Sequence, residues 1–87
     1  MKKSIHNSLY KQFIELLKQK RIDKGITQTE LAQRLGVSQS LISKFEMCEI
    51  RIDLVELVKI CNAMQIPFID IANEMNEIIV KQTNLKL

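Results

Sequence analysis

The chain has 87 residues, of which 46% are hydrophobic, and a formal net charge of +3. This length suffices for one small globular domain, but not for two hydrophobic cores or for an enclosed active site with its own lid. No apolar run approaches the roughly 18 residues that span a bilayer, and residues 1–7 lack the apolar middle of a signal peptide. We therefore expect one cytoplasmic domain without a membrane partner.

The charge is distributed unevenly along the chain. Residues 1–51 contain ten Lys and Arg against five Asp and Glu, whereas residues 52–87 contain three against five. The basic half should attract phosphates more strongly than the net charge suggests, although many solvated helix faces have a similar composition.

Helical periodicity and the scarcity of turn and strand signals predict an all-α protein. After an N-terminal arm (residues 1–7), a first helix is predicted over residues 8–24, with Asn7 as its N-cap and Gly25 at its end. Its apolar face is predicted to contain Leu9, Phe13, Leu16 and Leu17.

A helix-turn-helix is predicted over about residues 28–47, within the run TQTELAQRLGVSQSLISKF. Gly36 suits the turn, because a left-handed backbone conformation costs a glycine little. Such a motif places its second helix where it can enter a DNA major groove. The inward positions are predicted to be Leu31, Ala32, Leu35, Val37, Leu41, Ile42 and Phe45.

Residues that cap free backbone amides mark the starts of three helices. Thr27 and Glu30 have the spacing of a capping box, which predicts that the second helix starts at Gln28. Ser38 is the predicted cap of the third helix. Asp53 and Glu56 form another capping box before the fourth helix.

The fourth helix is predicted to end near Gln65, and Pro67 fits the first position of a fifth helix, where its missing amide hydrogen is harmless. The domain is predicted to extend over residues 8–80, with residues 81–87 as a frayed tail. The inward residues of the fourth helix are predicted to be Leu54, Leu57, Val58, Ile60, Cys61 and Met64. Those of the fifth are Phe68, Ile71, Ala72, Met75, Ile78 and Ile79.

Side chains capable of metal binding or catalysis are few. Cys48 and Cys61 lack the paired spacing of a zinc site, and His6 is the only histidine, so we interpret both thiols as structural and expect no metal. The sequence also lacks a glycine-rich phosphate loop and a nucleophile motif. We therefore predict neither an enzyme, nor a cofactor, nor a small-molecule substrate.

Residues Phe13 to Ile71 resemble the phage repressor and Cro type of helix-turn-helix DNA-binding protein, also called the xenobiotic-response-element class. The matching segments are Arg21 to Gly25, Thr27-Gln28-x-Glu30-Leu31-Ala32, Gly36-Val37-Ser38-Gln39 and Ile42 to Glu46. This resemblance implies a compact five-helix bundle of the lambda-repressor-like type, in which the third helix is the recognition helix.

The outward face of the third helix supplies the candidate base-reading residues, which are Gln39, Ser40, Ser43 and Lys44. A merely solvated polar face is the alternative for each of them. The candidates for phosphate contact are Thr27, Gln28, Ser38 and Arg51, with Gln28 and Arg51 taken from the resemblance. Gln28 has a competing local role as the first residue of its helix. The resemblance also implies an internal ion pair between Arg21 and Glu46.

The sequence departs from the family pattern in two places. Cys48 stands where a glycine commonly follows the recognition helix, so this helix either ends without a left-handed cap or holds a non-glycine residue in strain. Ile52 stands where a proline often precedes the fourth helix, which leaves the path of that connection open.

Two functions fit the sequence. The first is a prokaryotic or phage transcriptional regulator, a repressor or autoregulator that binds specific double-stranded DNA as a homodimer on a palindromic operator. Its dimer interface is predicted on the fifth helix at Ile71, Met75, Ile78 and Ile79, with a rim of Asp70, Glu74, Glu77 and Lys81. The alternative is a protein-interaction module, such as an antitoxin or adaptor, that uses the same fold.

Overall fold

The computed structural model describes the backbone of residues 3–82 and the side chains of residues 8–82. The helices are α1 (Lys3–Asp23), α2 (Gln28–Leu35), α3 (Gln39–Glu46), α4 (Leu54–Ala63) and α5 (Phe68–Lys81). No strand occurs in this part of the chain. The predicted all-α, five-helix architecture is therefore confirmed. Within residues 3–82, no helix combines the length and the apolar character needed to cross a membrane.

The helices surround one hydrophobic core. Helix α2 contacts α3 and α4, α1 lies against α3 and α5, and α4 also contacts α5. On α1, Ile14 and Leu17 are buried, whereas Leu9, Phe13 and Leu16 are only half-buried. The largest fully buried side chains are Leu17, Leu31, Met64, Ile71 and Cys61. Burial of each large aliphatic side chain contributes about 1.5–3 kcal/mol, so this cluster accounts for much of the driving force for folding.

The caps predicted for α2, α3 and α4 are confirmed. Thr27 Oγ1 accepts a hydrogen bond from the Glu30 amide at 3.0 Å, and the Glu30 carboxylate accepts one from the Thr27 amide at 3.1 Å. Asp53 and Glu56 form the same reciprocal pair at 2.7 Å in both directions. Ser38 Oγ accepts from the amide three residues further on at 3.1 Å. Each cap satisfies a donor that the first helical turn leaves free.

The predictions at the ends of α1 and α5 need correction. Helix α1 begins at Lys3, so Asn7 lies inside the helix and does not cap it. No glycine or proline interrupts the residues before position 8, so nothing local ends the helix there. Pro67 is the N-cap of α5 rather than its first residue, and Lys81 still belongs to this helix. Of the rest of the predicted frayed tail, Gln82 is the C-cap of α5, and residues 83–87 lie outside the described residues.

Helices α1 to α4 end in the same way, with a left-handed residue just after the helix. Its φ angle is 69° at Gly25, 71° at Gly36, 60° at Cys48 and 59° at Gln65. At each end a backbone amide donates a hydrogen bond to the carbonyl five residues earlier, as Glu49 N does to Lys44 O at 2.8 Å. This is the Schellman arrangement. The alternatives left open for Cys48 are thereby resolved, because it is a non-glycine residue held in the left-handed region.

We expect Gln65→Gly to raise the free energy of unfolding by about 0.5–1 kcal/mol. Relief of the left-handed penalty, about 1–2 kcal/mol, outweighs the extra chain entropy of a glycine. The Gln65 side chain is exposed, and Lys24 bonds only its backbone carbonyl. Urea denaturation tests this against Gln33→Gly, an exposed position inside α2 where glycine should destabilise by about 1 kcal/mol. If both substitutions lowered the free energy of unfolding, the left-handed backbone at Gln65 would not be the source of strain that we expect.

Three apolar side chains predicted to face inward are exposed instead. Val37 and Leu41 line an open groove of about 200 Å³ beside α3 and α4, because helices of two turns leave their flanks uncovered. Leu54, the first residue of α4, is 67% exposed. It lies at an apolar cleft of about 290 Å³ whose other lining residues include Phe13, Leu57 and Met75.

Basic side chains in or next to α1 and α2 bond neighbouring parts of the domain. Arg34 Nη1 donates to the Ala63 carbonyl at 2.7 Å, and Lys24 Nζ donates to the Gln65 carbonyl at 3.1 Å. Both contacts place positive charge at the carboxyl end of α4, where the helix dipole favours it. Lys20 pairs with Glu74 on α5 at 2.6 Å.

Candidate nucleic-acid interface

Helices α2 and α3 form the predicted helix-turn-helix, with Gly36 in the left-handed turn between them. Their inner faces contribute Leu31, Ala32, Ile42 and Phe45 to the buried core. Because this packing fixes the orientation of α3, the opposite face of the helix points toward solvent.

The predicted base-reading residues differ in exposure. Gln39, Ser40 and Lys44 are exposed on α3, whereas Ser43 is half-buried. The Ser43 hydroxyl lies 3.7 Å from the sulfur of Met47, one turn further along. Three of the four side chains are therefore fully presented to a ligand, and Ser43 lies at the margin of this surface.

The predicted phosphate contacts lie around this face. The hydroxyl oxygens of Thr27 and Ser38 accept cap hydrogen bonds, but each hydroxyl keeps its own O–H to donate to a phosphate oxygen. Arg51 lies in the connection between α3 and α4, with its guanidinium carbon 4.6 Å from the centre of the Tyr10 ring. Tyr10 also accepts a hydrogen bond from the Ile52 amide at 3.2 Å. No local signal in the sequence indicates this role of Tyr10, which orients the connection.

Arg21 and Glu46 form an ion pair beneath the interface. Arg21 Nε and Nη2 donate to the two carboxylate oxygens of Glu46 at 2.7 and 2.9 Å. Arg21 Nη1 also donates to the Ile26 carbonyl at 2.8 Å. The side chains of Arg21 and Glu46 are only 10% and 3% exposed. This two-pronged geometry fixes both side chains and joins the end of α1 to the end of α3.

Two glutamines extend this ion pair to the outward face. Gln28 Nε2 donates to Glu46 Oε1 at 2.9 Å, and Gln39 Nε2 donates to Gln28 Oε1 at 2.6 Å. The Gln28 side chain, predicted to contact phosphate, therefore bonds a neighbouring helix and the candidate base-reading Gln39. No local signal in the sequence indicates these contacts.

The two cysteines are free thiols. Cys61 lies in the core, and burial raises the pKa of its thiol, which favours the neutral form. Cys48 is half-buried against the core. Among the described residues, His, Cys, Asp and Glu form no group of three suited to holding a metal ion.

A family model described as Helix-turn-helix matches residues 17–71, more than half of the chain and all of α2, α3 and α4. The chain belongs to this helix-turn-helix family. Among solved structures, it is similar to an XRE-family like protein from Pseudomonas syringae pv. tomato str. DC3000, with 37% identity and a TM-score of 0.82. The match covers 87% of this chain and 93% of that one. None of the curated proteins matches the chain.

Membership of the helix-turn-helix family confirms the predicted resemblance to the repressor and Cro type. At the level of the family, the protein is a DNA-binding regulator of the XRE type. The exposed face of α3 is accordingly the candidate nucleic-acid interface.

The predicted dimer interface on α5 requires one correction within this helix-turn-helix domain. Ile71 is 0% exposed and belongs to the core, so it has no surface to offer a partner. Met75, Ile78 and Ile79 are half-buried. The first turns of α5 cover the domain's own core, because α1 and α4 both pack against this helix.

Proposed function

We propose that the protein is a sequence-specific transcriptional regulator that represses or autoregulates by occupying double-stranded DNA as a homodimer in the cytoplasm. The observation that carries this proposal is the outward face of α3. There, exposed Gln39, Ser40 and Lys44 lie on a helix anchored from beneath by a buried ion pair. Such a helix presents its side chains to base edges in a nearly fixed position.

The side chains of this face have distinct hydrogen-bonding abilities. Gln39 suits a bidentate contact with adenine, and Lys44 suits guanine or a phosphate. Ser40 donates and accepts, which fits several bases. A recognition helix of eight residues spans only a few base pairs, so useful specificity needs two copies on half-sites about 34 Å apart.

Selection of bound sites from random duplex DNA tests the proposal. We expect enrichment of one short motif repeated in inverted orientation at about one helical turn. The variant Gln39→Ala, Lys44→Ala should lose that motif. A control of matched composition, Gln33→Ala with Lys11→Ala, changes exposed residues outside α3 and should retain it. Failure of the wild type to enrich any sequence would contradict the proposal and favour a protein-interaction module.

The exposed apolar side chains favour a dimer surface that keeps Met75 and Ile79 of the predicted interface and adds residues of α1 and α4. Leu54 is 67% exposed and lies beside the apolar cleft that Phe13, Leu57 and Met75 help to line. Ile79 lies one turn beyond Met75 on α5. We propose that this surface, formed by Leu54, the cleft and the exposed side of Met75 and Ile79, contacts its counterpart around a twofold axis.

Leu54→Glu should convert a dimer into a monomer and raise the dimer dissociation constant at least about tenfold, because it places a charge in an apolar contact. Glu at the first position of α4 suits the helix dipole, so the folded monomer should persist. Sedimentation at micromolar concentration tests this against Ile69→Glu. Ile69 is 62% exposed in the first turn of α5 but does not line the cleft. A monomeric wild type, or equal effects of the two substitutions, would rule out this surface.

A further inference from the structure

We propose that Glu46 is a positioning residue for DNA reading, because its carboxylate determines, through Gln28, which amide edge Gln39 presents to a base. This inference rests on the proposed function, since it assigns a source of specificity to the same face of α3. It requires that hydrogen-bond direction be transmitted from a buried charge to an exposed amide.

The carboxylate of Glu46 is held in one orientation. Arg21 donates to both of its oxygens, at 2.7 and 2.9 Å, and is itself held by the Ile26 carbonyl at 2.8 Å. With side chains only 10% and 3% exposed, the pair is shielded from water that would compete for these bonds. Oε1 thus lies at a fixed point, where it accepts from Arg21 and from Gln28.

The direction of the next two hydrogen bonds follows from the chemistry of the carboxylate. An ionised carboxylate only accepts, so the amide nitrogen of Gln28 must face Glu46, as the 2.9 Å contact shows. The carbonyl oxygen of Gln28 then faces Gln39. Because this oxygen also only accepts, Gln39 must turn its Nε2 toward it, at 2.6 Å.

The bond to Gln28 leaves Gln39 with the groups that adenine requires. Its Nε2 has two hydrogens, of which one is donated to Gln28, and its Oε1 has no role in this chain of bonds. The remaining hydrogen suits adenine N7, and Oε1 suits the adenine N6 amino group. A neutral amide in place of the Glu46 carboxylate both donates and accepts. Gln28 and Gln39 are then free to reverse, and the preference for adenine is relaxed.

Lys44 and Ser40 provide an internal reference. They lie on the same helix but take no part in the hydrogen bonds from Glu46 to Gln39. A change that acts through hydrogen-bond direction should alter only the base pair read by Gln39. A general loosening of α3 should weaken discrimination at every base pair alike.

The test measures the affinity of the full chain for operator duplexes with single base-pair changes, using the site that the wild type selects. Gln39→Ala first identifies the base pair that Gln39 reads. We expect Glu46→Gln and Gln28→Ala each to reduce discrimination at that pair about tenfold. Discrimination at the other positions should stay within about twofold. Combining the two substitutions should add nothing further, whereas Glu49→Gln, an exposed carboxylate near the end of α3, should change nothing.

Equal loss of discrimination at all positions, or full retention of discrimination by Gln28→Ala and Glu46→Gln, would overturn the inference. Gln28→Ala leaves the ion pair intact, so full retention of discrimination by this variant overturns the inference even if Glu46→Gln fails to fold. The proposed function fails separately. If the proposed function is wrong, the wild type itself shows no sequence preference. If only the role of Glu46 is wrong, Gln39→Ala abolishes a preference that Glu46→Gln and Gln28→Ala leave unchanged.

Discussion

Glu46→Ala is expected to lower the free energy of unfolding by about 3–5 kcal/mol, which is a large share of the stability of a domain of this size. The substitution leaves Arg21, only 8% exposed, with an uncompensated charge and two lost hydrogen bonds. Chemical denaturation followed by circular dichroism measures the change.

The matched control for this substitution is Glu49→Ala. Glu49 is exposed in the connection that follows α3, where loss of a surface carboxylate should change stability by less than about 0.5 kcal/mol. Small and equal changes in both variants would show that the buried pair adds little to the fold.

Gln39→Ala is expected to reduce discrimination at one or two base positions by about 1–3 kcal/mol, because it removes a bidentate contact to a base edge. Affinity for single-base operator variants reports the loss position by position. Lys18→Ala, which removes a basic side chain of α1, should leave the preference profile unchanged. An unaltered profile for Gln39→Ala would argue against α3 as the reading helix.

The starts of α2 and α4 were predictable from the sequence, because reciprocal local hydrogen bonds determine them. The capping boxes of Thr27 and Asp53 depend on residues only three positions apart, and both are present in the structure. The left-handed ends at Cys48 and Gln65 were harder to predict, because neither is a glycine. Both residues take the left-handed conformation that a Schellman ending requires, although a residue with a side chain disfavours it.

The candidate interface was predictable in part, for a similar reason. Helical periodicity placed Gln39, Ser40 and Lys44 on the outward face. The contacts of Gln28 join residues 18 and 11 positions apart, and they depend on how α2 and α3 lie against each other. Burial of Ile71 likewise follows from the packing of α5, which periodicity alone does not specify.

Internal contacts hold several basic side chains in place, and the two that are salt bridges offset the positive charge that the composition suggests. Lys20, Arg21, Lys24 and Arg34 all belong to the basic half of the chain, yet each bonds a carboxylate or a carbonyl of its own domain. Among the described residues, Lys44 lies on the reading helix, and Arg51 and Lys59 line the groove beside it. Each phosphate that a cation neutralises releases about 0.9 counterion on duplex DNA, so we expect this small set of cations to displace few ions on binding. We therefore expect the protein to dissociate rapidly from non-specific DNA. Its residence time on DNA should depend chiefly on the bases that α3 contacts.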